Sequence, residues 1–277
     1  MNLTKQEILF QTKKKLFLNF HGEHTSIFSG NGIDFKEIRQ YTTNDDIRHI
    51  NWKNTAKTKQ PSVNIYNETK QLNIVLLYLN SGGLDFGDKK SKKDIATEVI
   101  TALSFATISN NDMLTTIFYD ESNIKFFKPT KHKSIVDINY DVATNIKSLG
   151  KTIDYNHLNW YILNKLKKKS LIFIIGDFLD FKDFSQISEK HEIYCIVIRD
   201  KKEENLNLLG QYNIIDTNTL KEYDINIDRK SITNYNKQMK NYDNKLFSHF
   251  KKYKINYQKI YTNDNSIEKL KILVKGY

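Results

Sequence analysis

Three short runs of consecutive apolar residues stand out along the chain, at residues 74–79, 171–175 and 193–198. Their apolar positions are continuous rather than alternating, which is typical of strands covered on both faces, as in a parallel sheet. Further strand patterns follow at residues 113–119, 124–127 and 257–261. The turn-like Glu121-Ser122-Asn123 predicts that the strands on either side of it form a hairpin.

Helical patterns lie between these strands. Within residues 94–108, the apolar positions Ile95, Val99, Leu103 and Ala106 recur at spacings of three and four, which predicts one buried helical face. Other helical patterns cover residues 155–167, 231–253 and 267–273. Because strands alternate with helices of this length, the sequence predicts an α/β domain with an open, doubly wound, mainly parallel sheet over residues 71–277.

The first 70 residues differ from the rest. A short helical start at residues 5–16 gives way to a stretch rich in Gly, Thr, Asn and charge, with little helical periodicity. Scattered aromatic residues are its main apolar anchors. We therefore predict that residues 1–70 form an N-terminal extension of short strands and turns that packs against the α/β domain, because so few apolar residues cannot form a separate core.

Length and apolar content fit a globular protein. With 277 residues and 39% hydrophobic residues, the chain can bury a substantial core. No apolar run approaches the ~20 residues that span a bilayer, and the first residues lack the apolar stretch of a signal peptide. We therefore expect a cytoplasmic protein. The only cysteine, Cys195, lies inside an apolar run, which predicts a buried, inert thiol.

The formal net charge of +11 raises the question of nucleic acid or an anionic surface. Of the 43 basic residues, however, only four are arginine, and the lysines are scattered along the chain. Base and phosphate readers prefer the bidentate arginine fork. We therefore favour a solvated lysine surface, and lysine-mediated binding of nucleic acid or an anionic surface is the alternative.

A dense motif occupies residues 22–61, called the hallmark segment below. It resembles the hallmark of the domain-of-unknown-function 58 family, roughly G-x-H-x-S-x-x-x-G-x-G-x-[DE]-F-x-x-x-R-x-Y-x-x-G-D-D-x-R-x-I-D-W-x-x-T-A-R. The positions in register are His24, Ser26, Gly30, Gly32, Asp34, Phe35, Arg39, Tyr41, Asp45, Asp46, Arg48, Ile50, Trp52, Thr55 and Ala56. The departures are Asn44 for Gly, Asn51 for Asp and Lys57 for Arg. Phe86-Gly87, residues 176–178 and residues 199–210 also resemble the family.

This resemblance implies a fold and a role. The family's main domain is similar to von Willebrand factor A domains, which agrees with the doubly wound sheet predicted above. The usual companion of the family is a MoxR-type AAA+ ATPase, and the pair is thought to assist the maturation or assembly of target proteins. The resemblance therefore implies a non-enzymatic adaptor that binds this ATPase and further protein targets.

The hallmark segment places Arg39 and Arg48 close in sequence to Asp34, Asp45 and Asp46. Bidentate arginine–carboxylate pairs would fix the geometry of a segment with few apolar residues. Two interpretations stay open: a latch that holds the extension to the main domain, or a surface that docks a partner. The other candidate residues are His24, Ser26, Tyr41 and Trp52.

A magnesium site is the next candidate, because von Willebrand factor A domains often bind Mg²⁺ through D-x-S-x-S plus a distant Thr and Asp. By resemblance, the D-x-S-x-S register falls on residues 79–83, where only Ser81 is retained, and Thr152 and Asp177 take the distant positions. One carboxylate and two hydroxyls suit Mg²⁺ poorly. We therefore predict a degenerate site without tight metal binding. Asp177 would then cap nearby amides, and Mg²⁺-dependent ligand binding is a further alternative.

Catalytic motifs are missing from the sequence. The Gly82 to Gly87 spacing matches a phosphate-binding loop, but Asp88 stands where that loop needs lysine, and a carboxylate would repel phosphate. The seven histidines include no H-E-x-x-H, and there is no G-x-S-x-G. The sequence therefore predicts a protein that is not an enzyme.

Overall fold

The computed structural model describes residues 4–12, 31–43, 45–70, 72–181 and 183–275. The chain divides into two compact units. The smaller unit comprises residues 25–72, and the larger comprises residues 1–24 and 73–277.

The helices are, in chain order, α1 (Lys5–Thr12), α2 (Trp52–Thr58), α3 (Lys92–Ser109), α4 (Ser134–Asn145), α5 (Tyr155–Lys165), α6 (Ser185–Lys190), α7 (Lys201–Glu204), α8 (Arg229–Lys252) and α9 (Ser266–Lys275). The strands are β1 (Asn31–Gln40), β2 (Ser62–Lys70), β3 (Asn73–Leu79), β4 (Met113–Asp120), β5 (Asn123–Thr130), β6 (Leu171–Gly176), β7 (Glu192–Arg199), β8 (Gly210–Ile215), β9 (Glu222–Ile227) and β10 (Asn256–Tyr261).

The smaller unit is a two-stranded antiparallel hairpin of β1 and β2, with a register shift between Phe35 and Glu37. Helix α2 lies in the connection, and Asn51 begins it by accepting a hydrogen bond from the Asn54 amide at 2.9 Å. The strands have ten and nine residues, so they are longer than the short strands that the sequence predicted. Polar residues interrupt both strands, which hides them from an apolar pattern.

The larger unit is built on a six-stranded sheet with the order β10-β7-β6-β3-β4-β5. Every neighbouring pair is parallel except β4 and β5, which are antiparallel. Numbered along the chain within this sheet, the order is 3-2-1-4-5-6, that of doubly wound α/β proteins. The predicted fold class is therefore confirmed.

Both faces of the sheet are covered, as the continuous apolar runs predicted. Residues Val75, Leu77 and Cys195 face a core cluster that includes Leu158 of α5 and Phe250 of α8. Helices α3 and α9 of the larger unit pack against each other. Cys195 is fully buried, and this burial raises the pKa of its thiol, so the prediction of a buried thiol is confirmed.

The regions of the larger unit that were not predicted are helix α4, the short helices α6 and α7, and the strands β8 and β9. Helix α4 buries only Ile135, Val136, Asn139 and Ala143, a pattern with polar and β-branched residues that weakens the helical signal. Strands β8 and β9 form a separate antiparallel hairpin whose residues are mostly exposed. It therefore lacks the buried apolar run by which the sheet strands were found.

Candidate functional site

The carboxyl ends of β3 and β6 lie side by side where the strand order of the sheet reverses. Ligands of doubly wound proteins bind in this crevice. Ser81 follows β3, and its Oγ is buried and makes no hydrogen bond within the described residues. Asn80 beside it donates from Nδ2 to Asp120 Oδ2 at 3.1 Å. Asp177 follows β6, so two of the predicted site residues share this edge.

Lys92, the first residue of α3, places its ammonium at this edge. The side chain is fully buried. Its Nζ lies 3.5 Å from Asp177 Oδ2 and 2.7 Å from Glu203 Oε1, and 5.7 Å from the centre of the Phe86 ring. The lysine thus joins α3, the residue after β6, and α7. Three segments that resemble the family in sequence meet around this one ammonium.

The surroundings of Glu203 shift the pKa of its carboxyl. Burial raises the pKa of its carboxyl, against the opposing attraction of the Lys92 ammonium. Its second oxygen, Oε2, is buried and has no hydrogen-bond partner within the described residues. Lys92 is the main source of compensation for the charge of this carboxylate, and Arg199 adds a smaller attraction.

The turn between β8 and β9 covers the same edge. A Cβ at Gly82 would lie 1.9 Å from the Thr217 carbonyl oxygen, so only glycine permits this approach. The Gly83 amide donates to Asn218 Oδ1 at 3.2 Å, and Asn218 Nδ2 donates to Asp180 at 3.0 Å. The hairpin is thereby fixed to the sheet by its turn, while its strands remain exposed.

A second buried ionic cluster adjoins the end of β7. The fully buried Arg199 donates from Nη2 to Asp243 Oδ1 at 3.3 Å. Lys259 of β10 pairs with the same Asp243 at 2.6 Å and also with Glu204. Burial lowers the pKa of Lys259, but its bonds to Asp243 and Glu204 outweigh this and raise it overall. This cluster connects α7 and α8 to β7 and β10 of the central sheet.

The residues expected to hold Mg²⁺ do not fit that ion. Leu79 belongs to the core cluster, and a Cβ at Gly83 would lie 2.1 Å from Asp177 Oδ2. The Thr152 hydroxyl donates to the Glu121 carboxylate. Lys92 already brings a positive charge to Asp177. Within the described residues, no group of three or more His, Cys, Asp or Glu side chains is placed to hold a metal ion.

The predicted capping role of Asp177 is weak in the structure. The Leu179 amide lies 3.5 Å from Asp177 Oδ1, at the long limit of a hydrogen bond. The sequence did not predict the contact with Lys92, which lies 85 positions away in the chain.

In the hallmark segment, Arg39 and Asp45 form a bidentate pair, with Nη2 to Oδ1 at 2.6 Å and Nη1 to Oδ2 at 2.9 Å. The same carboxylate accepts from the Thr42 amide at 2.7 Å. The Thr42 amide and the Arg39 guanidinium lower the pKa of Asp45. Tyr41, half-buried, donates its amide to the Pro61 carbonyl at 2.9 Å. These contacts fix the turn that follows β1.

Arg48 and Asp46 form the second pair, with Nη2 to Oδ2 at 2.6 Å, but the Arg48 side chain is 84% exposed. Trp52 is also exposed. The Asp34 backbone lies in β1, and its side chain is outside the described residues, as are His24 and Ser26 entirely. Both arginines are thus paired inside their own segment. Whether the segment is a latch or a docking surface stays a prediction.

The sequence did not single out Lys92 or Asn218, although each left a signal, and it placed Glu203 only within a stretch that resembles the family. Ser91 and Asp94 form a capping box that puts Lys92 in the first helical turn, where the helix dipole disfavours a cation. A lysine in that position calls for acidic partners. Asn218 lies in a turn between two alternating Tyr-x-Ile patterns, which is a hairpin signal.

The sheet order and the crevice define an α/β protein of the doubly wound class. The chain matches the family described as "Protein of unknown function DUF58" over residues 37–245, and it belongs to that family. Uncharacterized proteins of Mycobacterium bovis and Mycobacterium tuberculosis are 24% identical over 211 residues. The match covers 72% of this chain and 65% of those proteins, so the chain spans less than two thirds of their length.

Several solved structures are similar to the chain at low identity. The conserved hypothetical protein BatB from Bacteroides thetaiotaomicron has a TM-score of 0.45 at 8% identity, over 74% of this chain and 98% of that one. An aerotolerance-related membrane protein from Bacteroides fragilis has a TM-score of 0.45 at 10% identity, over 74% and 97%. The SpRpn10 VWA domain has a TM-score of 0.37 at 8% identity, over 75% and 95%. Among the helices described for this chain, none is both long and apolar enough to cross a bilayer.

Proposed function

We propose that this protein is a non-enzymatic adaptor that binds other proteins through the exposed β8–β9 hairpin. Of the sixteen large apolar side chains that are exposed among the described residues, seven lie between residues 208 and 223. Soluble proteins rarely expose apolar residues in such concentration unless the surface binds a partner. This concentration on one hairpin and the two residues that precede it is the observation that carries the proposal.

The pairing of the hairpin gives it one apolar and one polar face. Tyr212 lies opposite Ile225 and Ile214 lies opposite Tyr223, and residues two apart in a strand share a face. The opposite face is mostly polar, with Asn213 donating to Asp224 at 3.0 Å, and Ile215 is its one apolar side chain in the two strands. Two tyrosines and two isoleucines would provide the rigid aromatic and aliphatic anchors that dominate protein interfaces.

The proposed companion is a MoxR-type AAA+ ATPase in the cytoplasm, acting on further protein targets. Membership of the DUF58 family and the resemblance of the hallmark segment support this finer assignment. The exposed Arg48 and Trp52 make the hallmark segment a second candidate contact surface.

Two variants that add the same charge on opposite faces of the hairpin test the proposal. Ile214→Glu places a carboxylate on the apolar face, and Gln211→Glu places one on the polar face as the matched control. We expect Ile214→Glu to weaken capture of the purified ATPase in the presence of ATP by about tenfold or more, as for an interface anchor. Gln211→Glu should bind as the wild type does. Equal binding by both variants would contradict the assignment of the hairpin.

A further inference from the structure

A positive charge is built into the edge of the sheet that carries Ser81 and Asp177, two positions of the degenerate magnesium site that the sequence implied by resemblance. Lys92 Nζ is fully buried between the carboxylates of Asp177 and Glu203. These two acids come from different parts of the chain, one directly after β6 and one from α7 after β7. A bound metal ion with a structural role usually joins separate segments of a chain through their carboxylates.

The position of Lys92 is unfavourable for a positive charge, and only its interaction partners offset this. As the first residue of α3, it lies at the helix end where the dipole repels a cation. Its complete burial also removes the ammonium from water, which is costly for an unpaired charge. The two carboxylates and the nearby Phe86 ring are the compensating interactions. A lysine that only solubilised the surface would extend into solvent instead.

Lys92 also blocks a metal ion. A divalent cation at Asp177 would meet the ammonium as a like charge within a few ångström. Gly83 supplies no hydroxyl, and a side chain there would collide with the Asp177 carboxylate. With Lys92 removed, however, two buried carboxylates would remain, and one or two carboxylates are what Mg²⁺ ordinarily uses in proteins.

We propose that Lys92 is the resident cation of this edge, holding Asp177 and Glu203 in place of a divalent metal ion and making the fold metal-independent. If this is so, removal of the Lys92 ammonium should turn the same two carboxylates into a binding site for Mg²⁺ or Mn²⁺. It depends only on the buried contacts of Lys92 and not on the identity of any protein partner.

Thermal unfolding of purified full-length variants, with EDTA or with millimolar Mg²⁺ or Mn²⁺, tests this inference. The wild type should unfold at the same temperature in all three conditions. In EDTA, Lys92→Met should unfold roughly 6–20 °C lower, because it leaves buried carboxylates uncompensated. Metal should raise the unfolding temperature of Lys92→Met by roughly 5–10 °C when its concentration is about 100 times Kd.

Lys90→Met is the matched control. Lys90 also forms a largely buried pair, with Glu98 at 2.6 Å, but its loss leaves a single carboxylate that also accepts from Ser266. Metal should therefore not stabilise Lys90→Met. Metal stabilisation of both variants to the same extent would overturn the proposal, as would metal stabilisation of the wild type.

A triple variant keeps the test informative if Lys92→Met does not fold in EDTA. Lys92→Met with Asp177→Asn and Glu203→Gln removes all three charges, so it should unfold at a higher temperature than Lys92→Met in EDTA and no longer respond to metal. A triple variant that is no more stable than Lys92→Met would show that Lys92 does not act by neutralising these carboxylates.

Discussion

The variant Arg48→Ala distinguishes between the two interpretations of the hallmark segment, a latch or a docking surface. The Arg48 side chain is 84% exposed and that of its partner Asp46 is 38% exposed. Water already solvates most of this pair, so we expect Arg48→Ala to lower the unfolding temperature by no more than roughly 2 °C. Such a variant would retain the fold, and any loss of ATPase binding would then come from a lost contact.

The pKa of Asp46 provides an internal control for this variant. Hydrogen bonds from the Arg48 side chain and backbone lower the pKa of the Asp46 carboxyl from 3.8 to about 2. Removal of the guanidinium should raise this pKa towards 3.8, which carboxyl carbon chemical shifts can follow. Because the pKa is depressed in the folded protein, the pair stabilises the fold above pH 3.8, and this small contribution is lost as the pH falls towards 2.

Two results would refute this reasoning about Arg48. An unfolding temperature lowered by roughly 10 °C or more would mean that the pair is buried in solution and acts as a latch. An Asp46 pKa that stays near 2 in Arg48→Ala would mean that the observed pair is not what lowers it.

Two further predictions concern buried positions. Gly82→Ala would place Cβ against the Thr217 carbonyl, so we expect a loss of about 1–3 kcal/mol and faster amide exchange in residues 216–221, with unchanged exchange as the contradicting result. Burial lowers the pKa of His191 below 6.5, so the neutral form stabilises the fold above pH 6.5, and this contribution is lost as the pH falls through the lowered pKa. Unfolding temperatures between pH 7 and 5 should therefore fall less steeply in His191→Gln than in the wild type, and identical slopes would contradict this.

The central sheet could be predicted because burial on both faces leaves a continuous apolar run. Residues 74–79, 171–175 and 193–198 each fall inside a strand of the structure. The β8–β9 hairpin could not be found in this way, since Tyr212, Ile214 and Tyr223 are exposed and alternate with polar residues. An alternating pattern needs a second strand and a turn before it is specific.

The candidate site was predictable only in part. Asp177 and Ser81 were located by resemblance, and the structure places both at the same edge of the sheet. The cation at this edge was not predicted, because Lys92 reaches Glu203 across 111 positions and sequence spacing carries no information about that approach. Only its unusual place in the first turn of a helix marked it.

The central claim, binding of a protein partner through apolar anchors, is tested most directly by one titration series on the wild-type protein. The purified MoxR-type ATPase with ATP and a double-stranded DNA fragment are each titrated at about 50 and 200 mM salt. We predict that the ATPase binds with a Kd that changes little with salt. Binding of DNA alone, weakening by about a thousandfold or more between the two salt concentrations, would contradict the account.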